Sequence, residues 1–492
     1  NFQFFKYFLK LYYFSFGQLN QSGIVPNSEF KRTTFKISGD TKLGEKLKVS
    51  GSASYSNSGG TRMQRGSNLS AVMVGLMRVT PTFDITNGSD DPANDESSYM
   101  FPDGTQRTYY SSYDNPFWSI NKNIATDNVN RLIGFSQLDY EILPWLNAMY
   151  RVGLDFYAEE RESYLDNNSA DIFPVGYIAI SNYNFKSINS DFLLTANHDF
   201  SEDLKLTAIL GHNFYTKETY YNGWQGDLFI LPDFYDIINT STQSGDDSRT
   251  NYKIVGAFYD IKLAYKGFLY FNTTGRNDWT STLPANSNSF FYPSFNVGFI
   301  FTDAFNMDKN PYLNYGKIRA SYAEVGNDAP SYSLQNYFSG IEGGIRGVTA
   351  FATQRLMGNI NLEPEKTKSA ELGIDLRFFQ NRLGIDFALY QSISDGQIVP
   401  IPVAYSTGFT ELYANAGIIS NKGIETQLHI TPVQTEAFSW DVTMNFTKNK
   451  NLVEDLFEGT PLLEFATTGL SSTRSVAIEG EPYGVLYDSK YL

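Results

Sequence analysis

The chain holds 492 residues, with 38 Lys and Arg against 53 Asp and Glu, a formal net charge of −15, and no Cys. The acidic balance argues against nucleic-acid binding, which needs basic stripes, and the missing thiols exclude disulfides, thiolate metal sites and Cys nucleophiles. No apolar run reaches the roughly eighteen residues of a membrane-crossing helix, but Tyr (34) and Phe (39) are abundant, and strands that cross a membrane hide their apolar residues by alternation.

In chain order, Asn1 to Lys6 reads as a strand, because Lys6 and Lys10 interrupt any signal-peptide core and no small-residue cleavage site follows. Phe30–Asp40 and Lys46–Asn57 form a strand pair across Thr41-Lys42-Leu43-Gly44-Glu45. A long polar connection, Ser58–Asn130, follows; within it Leu69–Val79 has the pattern of a short helix. Arg131–Glu141 and Trp145–Tyr157 pair at Leu143-Pro144, and a connection runs from Glu159 to about Tyr183. Phe185–Phe200 and Leu204–Tyr215 pair at Ser201-Glu202-Asp203, before a further loop from Thr216 to Thr250. Lys253–Tyr265 and Phe268–Gly275 turn at Lys266-Gly267. Phe290–Phe301 and Lys317–Val325 precede a long segment, Gly326–Pro364.

The cleanest alternation follows. Leu372, Ile374, Leu376 and Phe378 fall on one face of a strand, and Glu371, Gly373, Asp375 and Arg377 on the other. After a turn at Asn381, Leu383, Ile385, Phe387 and Leu389 alternate with Gly384, Asp386, Ala388 and Tyr390. Gly423–Thr431 and Phe438–Lys448 form the last pair, in which Trp440, Val442, Met444 and Phe446 alternate with Asp441, Thr443 and Asn445.

One such strand also suits a soluble sheet with one face on a core. Repetition over the chain, with connections that run short, long, short, long, is the order of outer-membrane barrels. The fold class is therefore all-β: a large antiparallel transmembrane β-barrel with long extracellular loops and short periplasmic turns. About sixteen strands are legible, apolar residues toward lipid and polar residues toward a wet lumen.

Several stretches resemble SusC-like (SusC/RagA) TonB-dependent outer-membrane transporters. They are Gly23–Arg32, Gly275-Arg276-Asn277-Asp278-Trp279-Thr280-Ser281, Phe291–Gly298, Lys317–Asn327, Asn361–Thr367, Ala414–Gly417 with Asn421–Glu425, and Glu479–Gly484. They span most of the chain in family order. The resemblance implies a 22-stranded barrel of which residues 1–492 are the barrel portion only. The plug domain and TonB box are not found in this stretch, and the last strands are missing, so both ends read as cuts through a larger protein. It implies a multi-pass protein of the cell outer membrane that imports an oligomeric nutrient, glycan or peptide. A SusD-like surface lipoprotein is the expected lid, and the TonB complex acts through the missing N-terminal segment. The rival readings are a siderophore-type or passive outer-membrane channel and a structural or secretion-associated barrel scaffold.

No chemistry of catalysis stands out. His198, His212 and His429 have no metal-ligand spacing, and Asp90, Asp91, Asp95 and Glu96 in the acidic loop match no EF-hand. No phosphate-binding Gly loop or nucleophile elbow occurs. The expectation is no enzyme, no cofactor, no metal and no catalytic residue. Tyr109, Tyr110, Trp118, Tyr221 and Trp224 sit in the expected long loops, as flat rings with polar edges suited to ligand or lid contact.

Overall fold

A computed structural model describes residues 10–64, 70–110, 112–170, 175–307, 310–346, 348–457, 459–467 and 473–488. The strand expected at Asn1–Lys6 lies outside them. Eleven strands come first: β1 (Lys10–Ser22), β2 (Glu29–Leu43), β3 (Leu47–Arg62), β4 (Ala125–Leu143), β5 (Leu146–Asn167), β6 (Val175–Asp199), β7 (Leu204–Phe229), β8 (Thr240–Tyr265), β9 (Leu269–Thr280), β10 (Ser289–Ile300) and β11 (Leu313–Asn327). They are hydrogen-bonded in chain order. A hairpin of β12 (Phe338–Ile345) and β13 (Val348–Thr353) and a short β14 (Leu356–Met357) leave the sheet. The chain returns as β15 (Glu365–Phe378) and β16 (Leu383–Asp395), departs as β17 (Ile398–Pro402) and β18 (Glu411–Asn415), and ends the sheet with β19 (Ile418–Gln434) and β20 (Ser439–Asp455). Fifteen strands thus share one sheet among the described residues. β21 (Leu463–Thr467), β22 (Arg474–Ala477) and β23 (Val485–Tyr487) form a separate three-stranded sheet. Among the described residues three short α-helices interrupt the pattern: α1 (Val72–Arg78) falls inside the expected Leu69–Val79 stretch, and α2 (Pro116–Lys122) and α3 (Phe301–Ala304) have no expected counterpart.

The chain divides into two compact units, one of Asn1–Leu138, Arg151–Ser190 and Thr216–Asn251, the other of Asp139–Tyr150, Asp191–Tyr215 and Tyr252–Leu492. In the first, Phe16 pairs with Phe35 and Phe35 with Tyr55, the two Phe rings 5.0 Å apart and all three side chains exposed. In the second, register carries the two-faced pattern across strands. One row runs Phe299, Ile318, Ile374, Phe387, Thr426, Phe446 from β10 to β20. The row of opposite orientation beside it runs Gly298, Arg319, Gly373, Ala388, Glu425, Thr447. A one-residue slip at any pairing would put a charged row among the apolar ones.

The short turns are built as their residues dictate. Lys266 (φ 49°) and Gly267 (φ 72°) both adopt positive φ, as the tight hairpin between β8 and β9 requires. At the other end of the strands the sequence reading needs correcting. The connections expected over Glu159–Tyr183 and Thr216–Thr250 are mostly strand; only residues 168–174 and 230–239 separate the paired elements there. β7 and β8 each have 26 residues. At about 3.3 Å per residue that is roughly 85 Å, against the 9–11 residues that cross a bilayer. Beyond the bilayer neither face meets hydrocarbon, so alternation fades while backbone pairing continues.

On β20, Met444 pairs with Leu428 on the apolar face and Asn445 with Gln427 on the polar face. Met444→Arg is expected to cost about 2–4 kcal/mol in refolding titrations in lipid, and Asn445→Arg less than half of that. Equal costs at the two positions would contradict the assignment of faces.

Candidate functional site

In the first unit the connection between β3 and β4 is a folded platform. Asn115 caps α2 by accepting from the Phe117 amide, with Pro116 at the first helical position, where its missing N–H costs nothing. The Asp114 carboxylate accepts from Gln106 Nε2 (2.7 Å), Asn123 Nδ2 (2.7 Å) and the Ala170 amide (2.6 Å). Burial pushes its pKa above the ordinary carboxylate value, and these hydrogen bonds oppose the rise. Val72, Ala93 and Ile120 form the apolar centre.

Trp118 belongs to this interior. It is 1 % exposed, its Nε1 donates to Ser169 Oγ (3.0 Å), and Tyr99 meets its ring edge-on. The enclosed ring has no face free for a ligand, which corrects its expected place on the surface. Tyr221 and Trp224 lie on β7 rather than in a loop. Tyr221 is half-buried against Tyr183, over which Arg161 lies at 4.6 Å from the ring centre. Trp224 is 50 % exposed and covers Gly245, where any β-carbon would collide with the indole. Tyr109 and Tyr110 are exposed. Tyr109 leans on Phe83, which Arg107 covers; Tyr110 leans on Tyr113, which Arg78 covers while donating to its hydroxyl (2.7 Å). The platform therefore displays exposed Tyr rings that lean on rings covered by guanidinium groups, a surface of the chemistry that planar or sugar-like ligands can stack on.

A clasp holds three parts of this unit together. Lys122, at the end of α2, donates to Asp233 (2.9 Å) and lies 3.6 Å from Asp166 at the end of β5. Tyr235 donates to Asp166 (2.9 Å) and stacks on Tyr164 at 4.1 Å. Burial pulls the Lys122 ammonium down, but the hydrogen bond to Asp233 and the field of Asp166 outweigh it, leaving the pKa above 10.5. The hydrogen bond and charge of Lys122 hold Asp233 below its ordinary 3.8.

In the second unit, charged side chains cross-link the polar face. Arg319 grips Asp386 with two nitrogens (2.9 and 3.2 Å) and Glu371 with Nε (3.1 Å). Gly373 leaves the space this guanidinium occupies, since a β-carbon there would meet it at 2.5 Å. The Gly275–Ser281 motif does similar work: Arg276 Nε donates to both Asp278 oxygens (2.8 and 3.0 Å), and the Tyr292 hydroxyl donates to the same buried carboxylate. The Arg319 contacts and the Tyr292–Asp278 bond tie different strands, while Arg276 and Asp278 pair within β9. The acidic loop is likewise occupied with its own turns: Asp84 accepts from the Thr86 and Gly88 amides, and Asp95 from the Ser97 amide. Among the described residues no group of three or more His, Asp or Glu side chains is placed to hold a metal ion.

Fifteen strands paired in chain order, with polar and apolar faces that alternate from β10 to β20, are the architecture of an outer-membrane β-barrel protein. The chain belongs to the TonB dependent receptor-like, beta-barrel family, whose model matches residues 76–470. It is similar to TonB-dependent receptor P26 of Formosa agariphila, at 23% identity over 499 residues, covering 98% of this chain and 48% of the relative. It is similar to TonB-dependent receptor SusC of Bacteroides thetaiotaomicron, at 24% identity over 526 residues, covering 98% and 49%. The fold matches the RagAB peptide importer in its 'open-open' state, with a TM-score of 0.79 at 19% identity over 96% of this chain and 51% of that one. The chain spans about half the length of the curated relatives it matches.

The clasp has a defined pH window. Lys122 contributes in full below pH 10.5 and loses its contribution as pH rises through its elevated value; Asp233 contributes in full above pH 3.8 and loses it as pH falls through its depressed value. The protection of amides in residues 230–239, measured against their intrinsic exchange at each pH, is expected to hold across the interval between and to fall outside it. Lys122→Met should make the same segment exchange fast at neutral pH. Unchanged protection in that variant would contradict the clasp.

Proposed function

We propose that this chain is the membrane-embedded wall and outer rim of a TonB-dependent importer of an oligomeric nutrient, a peptide or a glycan. A SusD-like lipoprotein rests on its loops, and the TonB complex supplies energy through the rest of the protein. The observation that carries this reading is the β3–β4 platform. A pore needs no separate apolar core above the membrane, and long connections with their own structure are usually functional. This one spends some sixty residues, 63–124, on a folded support for exposed aromatic rings. Family membership and the likeness to SusC support the same reading, and the peptide-importer likeness favours a polymer over a metal chelate.

Tyr109, Tyr110 and Trp224 are the contact residues in this proposal; Trp118 holds the interior of the platform, and Tyr221 packs on Tyr183. In cells making the full-length protein, Tyr109→Ala with Tyr110→Ala is expected to lower uptake of a labelled oligomer by about tenfold, at unchanged amounts of protein in the outer membrane. Trp118→Ala is expected to act differently. The lost ring should destabilise the platform by about 3–5 kcal/mol, exposing it to added protease. Normal uptake in the double Tyr variant, across both peptide and glycan substrates, would overturn the role given to the platform.

A further inference from the structure

The apolar face of the second unit changes character near the long-loop end of its strands. Its apolar rows end with Leu372, Leu389 and Ile424, and Lys448 is the β20 partner of Ile424. In the next row Lys422 lies directly opposite Lys450. All three lysines are exposed and belong to the same face as Phe446 and Met444, two and four residues below Lys448. Lys366 and Lys368, further out on β15, also point to this face, but Asp395 and Glu324 stand opposite them. Among the described residues, Lys422 and Lys450 have no acidic cross-strand partner, Lys448 is opposite Ile424, and none of the three makes an ion pair. Like charges placed directly opposite on one face of a sheet repel. The arrangement is therefore unfavourable until an anion occupies it.

Below the lysines the face is hollowed. Ala320 and Ala370 are small beside Leu372, Leu389 and Ile424, and together they line an open groove of about 610 Å³ that reaches Lys422, Lys448 and Lys450. The height fits a headgroup. Lys448 lies eight residues beyond Trp440, which is roughly 27 Å along the strand and about 20 Å of height at a barrel tilt. That is close to the upper edge of an apolar band about 25 Å tall.

We propose that Lys422, Lys448 and Lys450 bind the phosphate of a lipid in the outer leaflet, with an acyl chain lying in the groove beneath. Lysine ammonium groups bind phosphate as point charges, and several of them near a membrane surface act together on an anionic headgroup. This site faces lipid and is independent of the nutrient path.

The test uses the full-length protein in neutral detergent, with native mass spectrometry after addition of equal amounts of phosphatidic acid and phosphatidylcholine. The wild type is expected to retain phosphatidic acid about tenfold over phosphatidylcholine, and millimolar inorganic phosphate should not displace it. Substituting all three lysines, K422Q with K448Q and K450Q, should abolish the preference, while the triple Lys→Arg variant keeps it. A heat-shifted band on gels reports that each variant is folded. Equal retention of the two lipids by the wild type overturns the proposal, as does an unchanged preference in a folded triple Gln variant. Displacement of the lipid by inorganic phosphate would make the site one for free phosphate and also overturn it. Should the Gln variant fail to fold, the wild-type preference and the phosphate competition decide the matter.

Discussion

A strand in hydrocarbon has one place to send its amide and carbonyl groups, the strand beside it. That constraint orders the rest of the molecule. Strands that follow one another in sequence lie beside one another in the sheet, so each pairing is made by a short hairpin or by a return from a longer excursion. Once the backbone is committed to neighbours, the side chains have only two directions, and register decides which residues share an environment. The row from Phe299 to Phe446 and the row from Gly298 to Thr447 are adjacent in sequence yet face different solvents. The polar row is then free to carry ties such as Arg319 with Asp386. These half-exposed pairs contribute little individually to stability, but they fix the positions of charges on a wet wall.

The same backbone pairing continues where the bilayer stops. β7 and β8 run on as a long hairpin, and the connection between β3 and β4 folds around Trp118 and Ile120. Here the stabilising interactions change kind. Buried amides and carboxylates, Asp114 with Asn123 and Gln106, replace the lipid-driven alternation, and the Lys122 clasp ties the platform to neighbouring loops of its unit. A rim built this way presents rings on a rigid base, which would limit the entropy lost in the proposed contact with a ligand or partner.

The wall was legible because its pattern has a period of two and β15, β16 and β20 obey it closely. The strand ends were not, because polar residues such as those of Thr216–Thr250 carry no alternation once both faces meet water. For that reason the sequence pattern reads Tyr221 and Trp224 as loop residues, although both lie on β7. The burial of Trp118 is illegible for another reason: it depends on Ser169 and Tyr99, distant in sequence, and nothing local in Asn115–Lys122 announces an enclosed ring. The Gly275–Ser281 motif was visible as a family signature, while its physical content, Arg276 and Tyr292 converging on Asp278, needed the register of β9 with β10.

The central claim is that one face of this sheet meets lipid and the other water. The chain contains no Cys, so single cysteines can be introduced without a competing thiol in this segment. Spin labels placed one at a time from Glu371 to Arg377 on β15, in lipid bilayers, would report accessibility to oxygen, which concentrates in hydrocarbon, and to a water-soluble nickel chelate. The account predicts a period of two in antiphase: oxygen maxima at Leu372, Ile374 and Leu376, nickel maxima at Glu371, Gly373, Asp375 and Arg377. Accessibility that varies smoothly along the strand, or the reverse phase, would contradict it.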